Sequence, residues 1–133
     1  MNIDHIGIAV RSLTDAVRVY EDVIGLKVSG YDQVDEQGVR VAMLPAGDTR
    51  IELLEPIRSD SPIEKFLTKR GEGIHHIAIR VDNIDEALER FKAAGARLID
   101  ATPRIGAHNT RIAFIHPAST HGVLLELVEH HGE

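Results

Sequence analysis

The stretch IDHIGIAV at residues 3–10 recurs as IHHIAIRV at residues 74–81, 71 positions further along the chain. In both copies bulky aliphatic side chains alternate with polar or small ones, which predicts a β-strand with one face against an apolar layer. Each copy is followed by apolar residues at the i, i+3, i+4, i+7 spacing of one helix face. These are Leu13, Ala16, Val17 and Tyr20 in the first copy and Ile84, Ala87, Leu88 and Phe91 in the second. The chain therefore contains an internal repeat that begins with a strand and an amphipathic helix.

Three further strand-like runs follow each helix, bounded by Gly, Pro, Asn or Asp turn signals. They are predicted at residues 26–34, 39–45 and 49–55 in the first half and at residues 97–102, 110–116 and 123–129 in the second. The fold class is therefore α+β, with two tandem βαβββ modules. We expect one domain, made of a module at residues 1–55, a connecting segment at 56–72 with a helix starting at Ser61, and a module at 73–133.

Composition narrows the possible functions. A chain of 133 residues suits a single domain with its own core. It has 8 His and no Cys, which excludes disulfides, thiolate metal sites and cysteine nucleophiles, so any metal must be held by nitrogen and oxygen. The net charge of −6 disfavours nucleic acid and anionic membranes as partners. No apolar run approaches the roughly 18 to 20 residues of a membrane span, and no signal-peptide pattern stands at the N-terminus. We expect a cytoplasmic protein.

Four polar residues occupy strand positions that alternate with aliphatic ones. His5 and His76 stand at equivalent places in the two first strands, and Glu52 and Glu126 stand in the last strand of each half. A carboxylate between Leu and Ile residues is costly to bury unless it is paired. Two imidazoles and two carboxylates are suitable ligands for a divalent ion, so the duplication favours a metal site. The alternative is that all four side chains are structural.

The other histidines give weaker signals. We expect His75 on the strand face opposite His76, and His116 as support for the turn at Pro117. His130 and His131, near the C-terminus, are expected to be solvated.

The paired modules, with candidate ligands on their first and last strands, resemble the vicinal oxygen chelate superfamily, which includes glyoxalase I. The closer resemblance is to the methylmalonyl-CoA epimerase family. It is carried by six stretches: IDHIGIA (3–9), IELLEP (51–56), DSPI (60–63), GIHHIA (73–78), IGAH (105–108), and His116-Pro117 with GVLLEL (122–127).

The resemblance implies a curled mixed sheet around a metal cavity, with His5, Glu52, His76 and Glu126 as the ligands. Cobalt is the ion that it favours, although manganese, nickel, zinc or magnesium also suit these donors. Several epimerases have Gln where Glu52 stands. Some also carry an acid–base Glu at the position of Val41, which cannot move a proton.

The implied activity is that of an isomerase in propionate metabolism, which interconverts the (R) and (S) epimers of methylmalonyl-CoA. In this implied reaction a base removes the C2 proton, and the metal stabilises the enolate that forms. Glu126 is the first candidate base, and the hypothesis gives Glu52 the opposite face of the substrate.

The resemblance also implies a homodimer. Five basic residues are candidates for the anionic groups of CoA, namely Lys65, Lys69, Arg70, Arg104 and Arg111. Two other functions stay open. One is lactoylglutathione lyase (glyoxalase I), which the two-His, two-Glu set supports. The other is a metal-free binding protein of the same fold.

Overall fold

The computed structural model describes residues 1–130. The chain divides into two compact units, one of residues 5–75 and the other of residues 1–4 together with the chain from His76 onward. The expectation of a single domain stays a prediction. The helices among the described residues include none long and apolar enough to pass through a membrane.

The first module contains four strands and the helix that follows the first of them. These elements are β1 (Asn2–Ala9), α1 (Leu13–Val19), β2 (Gly30–Val34), β3 (Val39–Ala46) and β4 (Thr49–Pro56). The strands are ordered β2-β3-β4-β1, with β1 parallel to β4 and the other pairs antiparallel. A π-helical turn extends α1 to Ile24, and Gly25 ends it with a φ of 94°. Helix α2 (Pro62–Arg70) follows the module.

The second module repeats this arrangement. Its elements are β5 (Gly73–Arg80), α3 (Ile84–Ala93), β6 (Arg104–Ile105), β7 (Arg111–Ile115) and β8 (Leu125–Glu129). The strand order is β5-β8-β7-β6, with β5 parallel to β8 and the other pairs antiparallel. The predicted α+β class and the two βαβββ modules are confirmed.

Local side-chain contacts explain where the helices begin. The predicted N-caps Ser12 and Asn83 accept hydrogen bonds from backbone amides three residues on, and Ser61 caps α2 ahead of Pro62. The amide of Leu13 also donates to a carboxylate oxygen of Glu55, at 3.0 Å. In the second module the amide at the start of α3 donates to Glu129 in the same way, at 2.9 Å.

One predicted strand is wrong and another is shorter than expected. Residues 97–102 form a loop with one isolated bridge, because the amides of Ile99 and Asp100 both donate to the Phe114 carbonyl while the Asp100 carboxylate accepts from the Phe114 amide. The strand predicted from residue 26 begins at Gly30, because the Val28 amide donates to the Glu21 side chain rather than to a strand.

Each sheet face has a distinct role in the first module. One face packs against α1 in a cluster of Val10, Leu13, Val17, Ala42, Leu44 and Leu53. The alternate residues of the strands pack with α2 in a second cluster of Ala9, Val39, Val41, Met43, Leu54, Ile63 and Leu67. His5 and Glu52 alternate with the α1-facing residues, as the sequence pattern predicts. Val41, at the position where the resemblance implies an acid–base group, is buried in this apolar cluster.

Candidate functional site

The first module brings His5 and Glu52 together. Their strands, β1 and β4, are parallel neighbours with Gly7 opposite Glu52. The His5 Nε2 atom lies 3.5 Å from Glu52 Oε1, and each residue is only 5% exposed. An imidazole and a carboxylate that are withdrawn from water and placed side by side form a polar pair in an otherwise apolar sheet.

Arg50 also contacts Glu52. Its Nε and Nη2 atoms both donate to Glu52 Oε2, at 3.1 and 3.0 Å, and its side chain is about one-quarter exposed. Arg50 lies on the same face as Glu52 because the two residues are two positions apart in β4. Arg50 is not among the residues that the sequence pattern predicts, although its i, i+2 spacing from Glu52 is a signal that places both on one strand face.

The second module forms an equivalent pair. His76 Nε2 lies 3.0 Å from Glu126 Oε1, and both residues are buried. The parallel strands β5 and β8 place Ala78 opposite Glu126, which matches the arrangement in the first module. The ring of Phe114, at 5.7 Å and nearly perpendicular, packs against the His76 imidazole. The aromatic contact restricts the orientation of the imidazole.

The donor chemistry of these residues suits a divalent metal ion. Imidazole nitrogen and carboxylate oxygen are accepted by Co²⁺, Mn²⁺, Ni²⁺ and Zn²⁺. His5 and Glu52 supply buried donors of this kind in the first module, and His76 and Glu126 supply them in the second. Their burial also distinguishes them from the acidic and histidine side chains of an ordinary solvated surface.

The predicted CoA-binding residues of α2 are exposed. Lys65 and Lys69 make no ion pair with any described residue, and both are available to an anion. The Arg70 guanidinium lies 6.0 Å from the centre of the Phe66 ring. These three side chains belong to the last two turns of one short helix.

Arg104 and Arg111, the other two predicted CoA-binding residues, contact acidic side chains of their own unit. Arg104 lies 3.4 Å from Asp100 and over the Phe114 ring at 5.6 Å. Arg111 donates to Asp85 and lies 3.5 Å from Glu129. Its hydrogen bond to Asp85 raises the pKa of Arg111, as do both nearby carboxylates.

Three of the other histidines, His75, His116 and His130, have defined partners. His75 packs edge-on against Phe66 at 5.1 Å. His116 accepts a hydrogen bond from the Ala118 amide and so supports the predicted turn. The expectation of a solvated His130 is wrong, because its Nε2 atom lies 2.6 Å from the buried carboxylate of Asp4. His131 lies outside the described residues.

The comparison with protein families gives the class. Residues 4–114 match the model of the Glyoxalase/Bleomycin resistance protein/Dioxygenase superfamily. The chain belongs to this superfamily, in agreement with the two βαβββ modules.

Individual relatives define the family more closely. The mitochondrial methylmalonyl-CoA epimerase of Dictyostelium discoideum is 42% identical over 128 residues, which cover 96% of this chain and 77% of the relative. A solved methylmalonyl-CoA epimerase in complex with methylmalonyl-CoA and NH4+ is 41% identical with a TM-score of 0.94, and the match covers 98% of this chain and 95% of that one. The uncharacterized protein YqjC of Bacillus subtilis is 47% identical over 98% of this chain and 94% of its own length. Within the superfamily the chain belongs to the methylmalonyl-CoA epimerase family and is an enzyme of the isomerase class.

Proposed function

We propose that this protein is a divalent-metal-dependent epimerase that interconverts the (R) and (S) forms of methylmalonyl-CoA. The observation that carries the proposal is the duplicated buried His–Glu pair in a chain of the methylmalonyl-CoA epimerase family. Both pairs are buried and stand at equivalent places in the two modules, which favours a shared ligand role over a metal-free binding protein.

The reaction makes a clear chemical demand. C2 of the substrate lies between a thioester and a carboxylate. The negative charge of the carboxylate makes removal of the C2 proton harder. We propose that His5, Glu52, His76 and Glu126 hold the ion. When bound, a divalent ion supplies the positive charge that stabilises the negative charge developing on the substrate oxygens. The protein must then move the proton.

We assign the proton transfer to Glu126. Its Oε1 atom faces His76, and its second oxygen is the one that we assign to the substrate. Glu52 was the sequence-based candidate for the opposite face. Two guanidinium N–H groups on Glu52 Oε2 favour a fixed ligand over a mobile base, because charge-assisted hydrogen bonds of this kind are strong.

Isotope exchange decides the role of Glu52. The variant Glu52→Gln is incubated with each epimer in deuterated solvent. Loss of epimerisation with retained exchange from one epimer supports a second acid–base group. Loss that follows the metal content of the protein supports the ligand role instead.

For CoA we propose the exposed bases of α2, Lys65, Lys69 and Arg70, as partners of its phosphates. Arg104 and Arg111 are weaker candidates because acidic neighbours already contact them. We also propose Co²⁺ as the ion, a homodimer as the assembly, the cytoplasm as the location and propionate metabolism as the context, all by family resemblance.

The decisive experiment is an epimerase assay on chelator-stripped protein with Co²⁺ added back. We expect activity on a single methylmalonyl-CoA epimer that depends on the ion. A parallel assay with methylglyoxal and glutathione tests the lactoylglutathione lyase alternative. Bound metal that is lost in the His5→Ala/His76→Ala double variant rejects the metal-free binding protein, and metal-independent activity rejects our proposal.

A further inference from the structure

Arg50 restricts which oxygen of Glu52 is available. Both contacting nitrogens of the guanidinium approach the same oxygen, Oε2, at 3.0 to 3.1 Å. The other oxygen, Oε1, is the one near His5 Nε2. The two oxygens of one buried carboxylate therefore have different environments, one facing an arginine and the other facing an imidazole.

This difference matters for metal binding, so the inference rests on the proposed function. A carboxylate can bind a cation through one oxygen or through both. An oxygen that accepts two charge-assisted hydrogen bonds is a poor second ligand, because those bonds would have to break first. The positive charge of Arg50 also offsets the negative charge of Glu52.

We propose that Arg50 is a positioning residue that makes Glu52 a one-oxygen ligand with its charge offset. Paired with Arg50, Glu52 then provides the ion with a single ligand oxygen without net charge, as an amide carbonyl does. A ligand that occupies one position instead of two leaves room at the ion for the substrate oxygens.

The proposal predicts that replacing Arg50 and Glu52 together preserves the metal coordination, whereas replacing either residue alone alters it. Arg50→Met releases Oε2, so Glu52 binds through both oxygens. Glu52→Gln alone brings an amide NH₂ group against the guanidinium donors or turns the amide oxygen away from the ion, because Gln has only one acceptor atom. In the double variant Arg50→Met/Glu52→Gln, the donors are gone and the amide oxygen can face the ion.

The test is the visible absorption spectrum of the Co²⁺-loaded protein, which reports coordination geometry. Stripped wild type, both single variants and the double variant are loaded with one equivalent of Co²⁺, and binding is followed by calorimetry. We expect altered spectra in both single variants, with weaker absorption in Arg50→Met as the coordination number rises. The double variant should return to the wild-type spectrum.

Two results overturn the inference. One is an Arg50→Met spectrum equal to that of wild type, and the other is a double variant that differs from wild type by the sum of the two single changes. If Arg50→Met does not fold, the spectra of Glu52→Gln and the double variant are compared instead. A return to the wild-type spectrum in the double variant still supports the inference, because it requires loss of the Arg50 donors that hold the amide oxygen away from the ion. Wild type that binds no Co²⁺ rejects the proposed function as well, whereas metal binding without rescue rejects this inference alone.

Discussion

Replacement of Glu126 by Gln removes the proposed acid–base group with almost no change in shape. In the structure Glu126 is about 6% exposed, and its Oε1 atom lies 3.0 Å from His76. The amide keeps one oxygen for contact with the ion but cannot take a proton. A positioned general base contributes typically about 10²- to 10⁴-fold to a rate. This corresponds to about 3 to 5 kcal/mol in activation free energy.

The assay follows epimerisation and C2 hydrogen exchange in deuterated solvent, with the Co²⁺ content measured on the same samples. We expect kcat to fall by roughly 10²- to 10⁴-fold in Glu126→Gln, while KM changes little. The matched control is Glu129→Gln, the same change three positions along β8. Its amide oxygen can still accept the hydrogen bond from the start of α3, so we expect near wild-type kcat.

The reasoning is refuted if Glu126→Gln retains more than about one-tenth of the wild-type kcat at full metal content, since a lost general base costs more than that. Loss of Co²⁺ in parallel with activity would instead make Glu126 a ligand without a role in proton transfer. A fall of equal size in Glu129→Gln would assign the effect to the strand rather than to the carboxylate.

Three further predictions follow from the contacts. The double change Lys65→Glu/Lys69→Glu should raise KM for the CoA ester and leave kcat nearly unchanged, because it acts on an exposed helix surface; an unchanged KM would remove these lysines from the proposed CoA site. Glu129→Ala should lower the free energy of unfolding by about 1 to 2 kcal/mol through loss of a charged acceptor at the start of α3, as measured by urea titration. His130→Ala should lower it by about 1 to 3 kcal/mol, because the buried Asp4 carboxylate loses a close partner; an unchanged urea midpoint would contradict this.

The sequence predicted the two modules and the strand positions of His5, Glu52, His76 and Glu126 because both depend on regular patterns. Strand alternation assigns His5 to the face opposite the aliphatic residues, and the repeat makes the same assignment for His76. The hydrogen bonds of Asp100, which replace a predicted strand by a loop, have no such pattern. His130 was missed for a related reason: its partner Asp4 is 126 positions away in the chain. Contacts of that kind depend on tertiary structure that no local pattern encodes.

Repetition in both modules does not by itself show whether a carboxylate serves the reaction or supports the fold. Glu55 and Glu129 are repeated just as Glu52 and Glu126 are, and each stands three positions after its counterpart in the same strand. An odd spacing reverses the strand face, so the two kinds of carboxylate point in opposite directions. Those at the later position bind the first amide of a helix, whereas those at the earlier position are buried beside an imidazole.

Glutamate therefore has two roles in each module, and the group that each side chain contacts distinguishes the two. A carboxylate on a helix amide satisfies a backbone donor that would otherwise lack an acceptor, which is a sufficient structural reason for its presence. Glu52 and Glu126 instead lie buried beside an imidazole. Arg50 offsets the cost of burying the Glu52 charge in the first module, and the metal ion that we propose would stabilise both carboxylates. On this distinction we propose that Glu52 and Glu126 serve the chemistry, whereas Glu55 and Glu129 support the helices.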